Sequence, residues 1–236
     1  GSHLSKDLVD LIKAIGDSRS KQEEDKIIVK ECETLKKKIK ESNISPRRMK
    51  EYLIRAIYIE MLGHEASFAH LHSVNLTQDK NLLNKRVGYL ACCLLLSDQS
   101  EFLIMLVASL QKDIQSINWV EVCMALTAVV KFANNTIVQA VTEPILKLLE
   151  HKNEHIRKKA VMCLYKFHQV SPMSVPDCDE RMRRLLCDFD PSVMAATLPY
   201  FKEMALKNPA KYKDLVAPLT SILKQVIEHK LVREFD

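Results

Sequence analysis

The stretch EMLGHEASFAHLH, residues 60–72, sets His64, His70 and His72 beside Glu60 and Glu65. Those side chains hold zinc or move protons, so their spacing decides whether they act together. In the HExxH pattern of zinc proteases the histidines are four apart, about 40° around a helix, and share one metal. His64 and His70 are six apart, which turns them about 240° from each other on a continuous helix. His70 and His72 diverge by about 200°. Gly63 also separates His64 from the helix expected to carry His70. Surface or packing histidines are the expectation, and no metal site.

Seven cysteines, an odd number without a CxxC pair, sit mostly singly in apolar stretches, as reduced thiols do. Cys92 and Cys93 lie in LACCLLL, where cysteine acts as a small core residue. There is no GxSxG, no phosphate-cradling glycine loop, no paired-carboxylate motif and no dinucleotide fingerprint. With four glycines in 236 residues, such a loop has little to be built from. Neither an enzyme nor a cofactor is expected.

Charge is less evenly spread. Lys30 to Lys50 holds eight basic residues against three acidic ones, enough to account for the net charge of +5. A solvated helix face is the plain reading of such a run. In SPRRMKEYL, however, Arg47, Arg48 and Lys50 open a helix, where backbone amides and the helix dipole suit a headgroup phosphate. Nucleic acid fits less well, because the cluster lacks interleaved aromatics and a long basic stripe. The clusters Arg157, Lys158, Lys159 and Arg181, Arg183, Arg184 read as wet helix faces. No run of about 18 uncharged apolar residues occurs, so any membrane contact is expected to be peripheral.

The elements that would position these groups are helical. Hydrophobic residues make up 47% of the chain and aromatics 6%, a composition poor in turn and strand formers. Leu4, Leu8, Leu11, Ile12 and Ile15 form one stripe that Gly16 and Asp17 end. Ile27, Ile28, Cys32, Leu35 and Ile39 give a second helix over Lys21 to Lys40. Ser45 and Pro46 cap and open a third, through Leu62, which Gly63 ends. Further on, Ala91, Ala125, Ala160 and Ala196 recur at intervals of 34, 35 and 36 residues inside apolar helices. Such a period marks paired outer and inner helices, with the small residue admitting a neighbour. The fold class expected is all-α, an α-solenoid of HEAT- or armadillo-like antiparallel helix pairs. Asp190 and Pro191 open one of its inner helices. Gly1 to His3 read as an expression-vector remnant. Residues 4–236 read as one N-terminal piece of a longer solenoid, since LVREFD supplies no polar closing helix.

The segments IKAIGDSRSKQEEDKIIVKECETLKKKIK, YIEMLGHEASFAHLHSVNL and NKRVGYLACCLLL, in that order and spacing, resemble the N-terminal trunk of the large adaptins. VEVCMALTAVVKF, RKKAVMCLYKFH, LCDFDPSVMAA, YKDL and ILKQV look most like the ε branch, from the fourth adaptor-protein complex. The resemblance runs from about Leu4 to Asp236. It implies a non-enzymatic subunit of a vesicle coat, partnered by a small σ subunit, a β-type large subunit and a μ subunit. It also implies recruitment by a GTP-bound Arf-family GTPase, peripherally on the cytoplasmic face of trans-Golgi and endosomal membranes. Carried onto this sequence, the GTPase contacts fall on Leu71 and Val74, with Met105 on the next helix. Leu71 and Val74 are three apart, so one face is expected to present both.

Two departures stand out. The arginine that holds a dileucine cargo signal in α and γ relatives aligns with Gly16. The lysine run that binds phosphoinositide in the α relative is broken here into Arg47, Arg48, Met49, Lys50 and Glu51. Two alternatives follow the residues rather than the family: a direct phosphoinositide-binding module, and an unrelated HEAT-repeat cargo receptor.

Overall fold

The computed structural model describes residues 5–233, with side chains through 228. The expected remnant Gly1 to His3, the stripe's first member Leu4, and the side chains of LVREFD lie outside the described residues. The described chain divides between Pro176 and Asp177 into two compact units. The sequence reading took the same span as one piece. Pro172, Pro176 and the left-handed backbone of Asp177 (φ 55°) mark the division.

The first unit runs α1 (Lys6–Gly16), α2 (Lys21–Ile39), α3 (Pro46–Met61), α4 (His70–Leu76), α5 (Leu82–Leu95), α6 (Leu103–Ile114), α7 (Trp119–Phe132), α8 (Asn135–Leu148) and α9 (Glu154–Val170). The second holds α10 (Cys178–Leu185), α11 (Pro191–Lys207) and α12 (Val216–Arg233). Every regular element among the described residues is a helix, the all-α solenoid that the period implies.

Local sequence sets the helix ends. The Ser45 side chain accepts from the Arg48 amide at 3.4 Å with Pro46 in the first turn, and Gly63 takes φ 86° just past α3. α5, α7, α9 and α11 begin alike. Asn81, Asn118, Asn153 and Asp190 accept from the amides of Leu83, Val120, His155 and Ser192 at 2.8–3.0 Å. Each cap satisfies an amide that the helix leaves free.

In the first unit α4 packs on α5, α6 on α7 and α8 on α9, while α5, α7 and α9 pack side by side. α7 and α9 run parallel: the Trp119 ring stacks on His155 at 5.6 Å near their starts, and further along the Cys163 thiol donates to the Leu126 carbonyl at 3.4 Å. Ala91, Ala125 and Ala160 are fully buried on these three helices, as the period predicts. The fourth anchor is corrected by one residue. In α11 Ala196 is half-buried, and Thr197 takes the fully buried place.

α8 carries a proline without losing the carbonyl bond that a proline removes. Pro144 has no N–H for the Ala140 carbonyl. Gln111 of α6 donates its Nε2 to that oxygen at 3.1 Å, tying two outer helices together.

In the second unit Asp179 is the polar centre. It accepts from the hydroxyl of Tyr212 at 2.5 Å and of Tyr200 at 3.3 Å, and pairs with Arg183 at 3.2 Å.

Candidate functional site

The helix that carries the expected contacts is only seven residues long, so its neighbours must hold it. The ring of His70, at its start, meets the ring of Phe102 edge-on at 6.1 Å, just before α6. At its end the Thr77 hydroxyl donates to Ser109 Oγ at 3.0 Å in α6. Two contacts at matching positions lay α4 parallel to α6.

On its other side α4 presses onto α5 at Gly88. A Cβ there would stand 2.6 Å from the Thr77 nitrogen and 2.7 Å from the Leu76 carbonyl carbon. Both are backbone atoms, so neither can rotate away. The glycine in KRVGYL is therefore required by a helix crossing.

Lys85 and Tyr89 of the same motif line a buried charge centre. Lys85 Nζ lies 2.7 Å from Asp113 and 3.1 Å from Glu121, and is almost wholly enclosed. The Tyr89 hydroxyl donates to the other Asp113 oxygen at 2.7 Å, and Ser116 donates to Glu121 at 2.5 Å. The centre joins α5, α6 and α7. Burial works against the Lys85 ammonium, but its bonds to Asp113 and Glu121 outweigh that and raise its pKa. The Ser116 hydroxyl, with Lys85 behind it, holds the Glu121 carboxyl below its usual range. Burial first, and then the Asp113 charge, pushes the Tyr89 phenol up.

This framework places the three expected docking residues differently. Leu71 is 40% exposed and Met105 42% exposed, but Val74 is 0% exposed. The shared face expected for Leu71 and Val74 is corrected. Val74 points into the unit, on the same side as buried Ser73, Leu76 and Thr77. Ile104, which the sequence reading passed over, is 76% exposed beside Met105. Its signal was available in FLIML, where four successive apolar residues of a helix cannot all face inward. The His70–Phe102 contact sets the starts of α4 and α6 side by side, so Leu71, Ile104 and Met105 each lie within a turn of it.

The histidines of the opening stretch separate. His64 Nε2 lies 3.1 Å from Asp25 in α2, His70 meets Phe102, and burial lowers the pKa of His72. His64 lies between α3 and α4, past the left-handed Gly63, so a break in the chain separates it from His70 rather than an angle around one helix.

Arg47 and Arg48 stand exposed on the first turn of α3, which holds no acid, and Lys50 is half-buried. Lys38 is turned away from this cluster toward Asp7, at 3.6 Å. Asp7 of α1 also approaches the buried Arg55 at 3.5 Å, and Arg55 pairs with Glu31 at 2.6 Å. Gly16 ends α1 with nothing within 4 Å of the place a Cβ would take. No helix among the described residues is long and apolar enough to cross a membrane.

Known proteins match this architecture along its length. The epsilon subunit of the AP-4 complex from Arabidopsis thaliana is 46% identical over 236 residues, covering 100% of this chain and 25% of that protein. Human AP-4 complex subunit epsilon-1 is 44% identical over 233 residues, covering 99% of this chain and 20% of its own length. The chain thus spans a quarter or less of these relatives. A homology model of the full-length AP-3 complex in an intermediate open conformation superposes with a TM-score of 0.62 at 25% identity, over 77% of this chain and 32% of that one. A designed armadillo repeat protein gives 0.53 at 16% identity, over 80% of this chain and 96% of its own, a likeness of fold alone. The family model for the adaptin N terminal region matches residues 24–235. These matches remove the unrelated HEAT-repeat receptor as a reading, and the chain belongs to the adaptin family.

Proposed function

We propose that this chain is the membrane-recruiting part of a non-enzymatic large subunit in a vesicle-coat adaptor complex. A GTP-bound Arf-family GTPase docks on Leu71, Ile104 and Met105. The observation that carries this reading is the pairing of exposed apolar side chains at the side-by-side starts of α4 and α6. Apolar residues grouped on a surface mark interaction sites. A GTPase gives switching because its GTP state orders the loops that grip such a patch.

Val74 serves this reading from behind, by fixing the rotation of α4. The chain would then scaffold a σ subunit, a β-type large subunit and a μ subunit on trans-Golgi and endosomal membranes. Binding of the purified chain to an Arf-type GTPase, loaded with a non-hydrolysable GTP analogue or with GDP, tests the reading. Binding only in the GTP-analogue state is expected, and equal binding in both states would sink it.

A second reading, phosphoinositide contact at Arg47, Arg48 and Lys50, is favoured by their position on an acid-free first turn. There the amides and the side chains offer positive charge together. Arg47→Glu with Arg48→Glu should then abolish flotation with phosphoinositide liposomes.

A further inference from the structure

Two serines of the chain precede a proline, Ser45 and Ser171, and their surroundings differ. Ser45 is exposed, with an extended backbone at φ −65° and ψ 146°. Pro46 follows it, and then Arg47 and Arg48, both exposed. Ser171 is half-buried, and its amide donates to the Phe167 carbonyl at 2.8 Å. Pro172, Met173 and Ser174 bring no base behind it.

The Ser45 hydroxyl is lightly held. It accepts from the Arg48 amide at 3.4 Å, longer than the usual range for such a bond. Lys40 to Asn43, ahead of it, are exposed, and Asn43 takes a left-handed φ of 62°, so the approach to Ser45 is a turn standing in solvent. To lie extended through Arg48, the chain gives up that bond and the one from the Met49 amide to the Ser45 carbonyl at 2.9 Å. Helix ends open at low cost. Ile44 and Met49, packed against the buried cluster of α2 and α3, keep the opened stretch short.

These features suit a substrate of a proline-directed kinase, which takes its acceptor in an extended segment. A proline after the acceptor has no amide N–H to be stranded in an apolar pocket. A base two places beyond the proline can meet acidic groups of the kinase.

We propose that Ser45 is the acceptor for a proline-directed serine kinase, and that its phosphate switches off the anion site of Arg47, Arg48 and Lys50. In the transfer the Ser45 Oγ attacks the γ-phosphorus of ATP, and the bond from that phosphorus to the β,γ-bridging oxygen breaks. ADP leaves, and the hydroxyl proton passes to the aspartate base of the kinase. From Ser42 to Glu51 the chain carries three bases and one acid. A phosphate adds about −1.5 to −2 of charge, so the excess that would draw a headgroup is cancelled. The new group stands beside the two arginines, where paired charges tighten the start of α3. The switch rests on the phosphoinositide reading, whereas the acceptor does not.

The purified chain is incubated with magnesium ATP and a kinase of the cyclin-dependent type, beside a free peptide of residues 40–52, and phosphate is mapped by mass spectrometry. One phosphate is expected, on Ser45, in both. Ser45→Asn, which caps the helix as serine does, should accept none, Pro46→Ala should slow transfer many-fold, and Ser171→Ala should change nothing. Hydrogen exchange at the amides of Arg48 and Met49 should slow in the phosphorylated chain. On phosphoinositide liposomes that form should bind at least about tenfold more weakly than the unmodified one. A chain left unlabelled, with or without a labelled peptide, or phosphate on Ser171 instead, would overturn the acceptor. Faster exchange at the start of α3, or equal flotation of the two forms, would overturn the switch. If the unmodified chain does not float, the phosphoinositide reading fails and the switch with it, while the mapped acceptor stands.

Discussion

The starts of α4 and α6 and the Lys85 centre share two helix neighbours, yet they differ in what they ask of sequence. At the surface, Leu71, Ile104 and Met105 are held only by the helices that display them, and a changed side chain meets water. Inside, Lys85, Asp113, Tyr89 and Glu121 depend on one another, and removal of one strands the rest in a medium that cannot solvate them. The framework is thus intolerant where it is hidden and permissive where it would bind. Substitutions at the two places should separate stability from recognition.

Asp113→Ala is the most damaging change foreseen. It leaves the Lys85 ammonium with Glu121 alone and the Tyr89 hydroxyl without its acceptor. Breaking a buried pair costs about 3–5 kcal/mol, which urea unfolding should read as a large loss of midpoint. A loss under about 1 kcal/mol would mean that water relaxes the centre.

Gly88→Ala comes next. The added methyl would press on the backbone at Leu76 and Thr77, and overpacking of this kind costs about 1–3 kcal/mol. Hydrogen exchange should show α4 opening before α5. This variant tests whether the patch depends on the crossing beneath it, so GTPase binding should weaken along with protection of α4.

A smaller effect is expected from pH. The folded-state pKa of Glu121 is depressed, so its contribution is present above the unfolded value near 4.5 and is lost as pH falls through the folded one. For Lys85 the folded-state pKa is raised. Its contribution is present below the unfolded value near 10.5 and is lost as pH rises through the folded one. Thermal midpoints should form a plateau bounded on the acid side by Glu121, and Glu121→Gln should flatten that acid limb.

Much of the framework was legible because its signals are local. Ser45 with Pro46, Asp190 with Pro191, and Gly63 each act within one turn, and three of the four alanine anchors lie where the period puts them. The facing of α4 was not legible in the same way. A spacing of three residues says that Leu71 and Val74 are neighbours on the helix, but α4 packs against α5 and α3, and the close crossing at Gly88 fixes its rotation. Exposed and buried surfaces meet between those two residues. Lys85 was hidden for a related reason: Asp113 lies 28 residues away, and a lone lysine in an amphipathic stretch reads as solvated until the fold supplies its partners. Ile104 was the avoidable omission, since four apolar residues in succession already demanded that one face outward.

The direct measurement of the docking claim compares Leu71→Glu, Met105→Glu and Leu83→Glu by calorimetric titration with an Arf-type GTPase loaded with a GTP analogue. All three positions are exposed, so unfolding midpoints should stay within about 0.5 kcal/mol of the parent. The account predicts that Leu71→Glu and Met105→Glu each weaken binding at least about tenfold, roughly 1.4 kcal/mol, while Leu83→Glu binds as the parent does. Undiminished binding by Leu71→Glu and Met105→Glu, in folded protein, would contradict it.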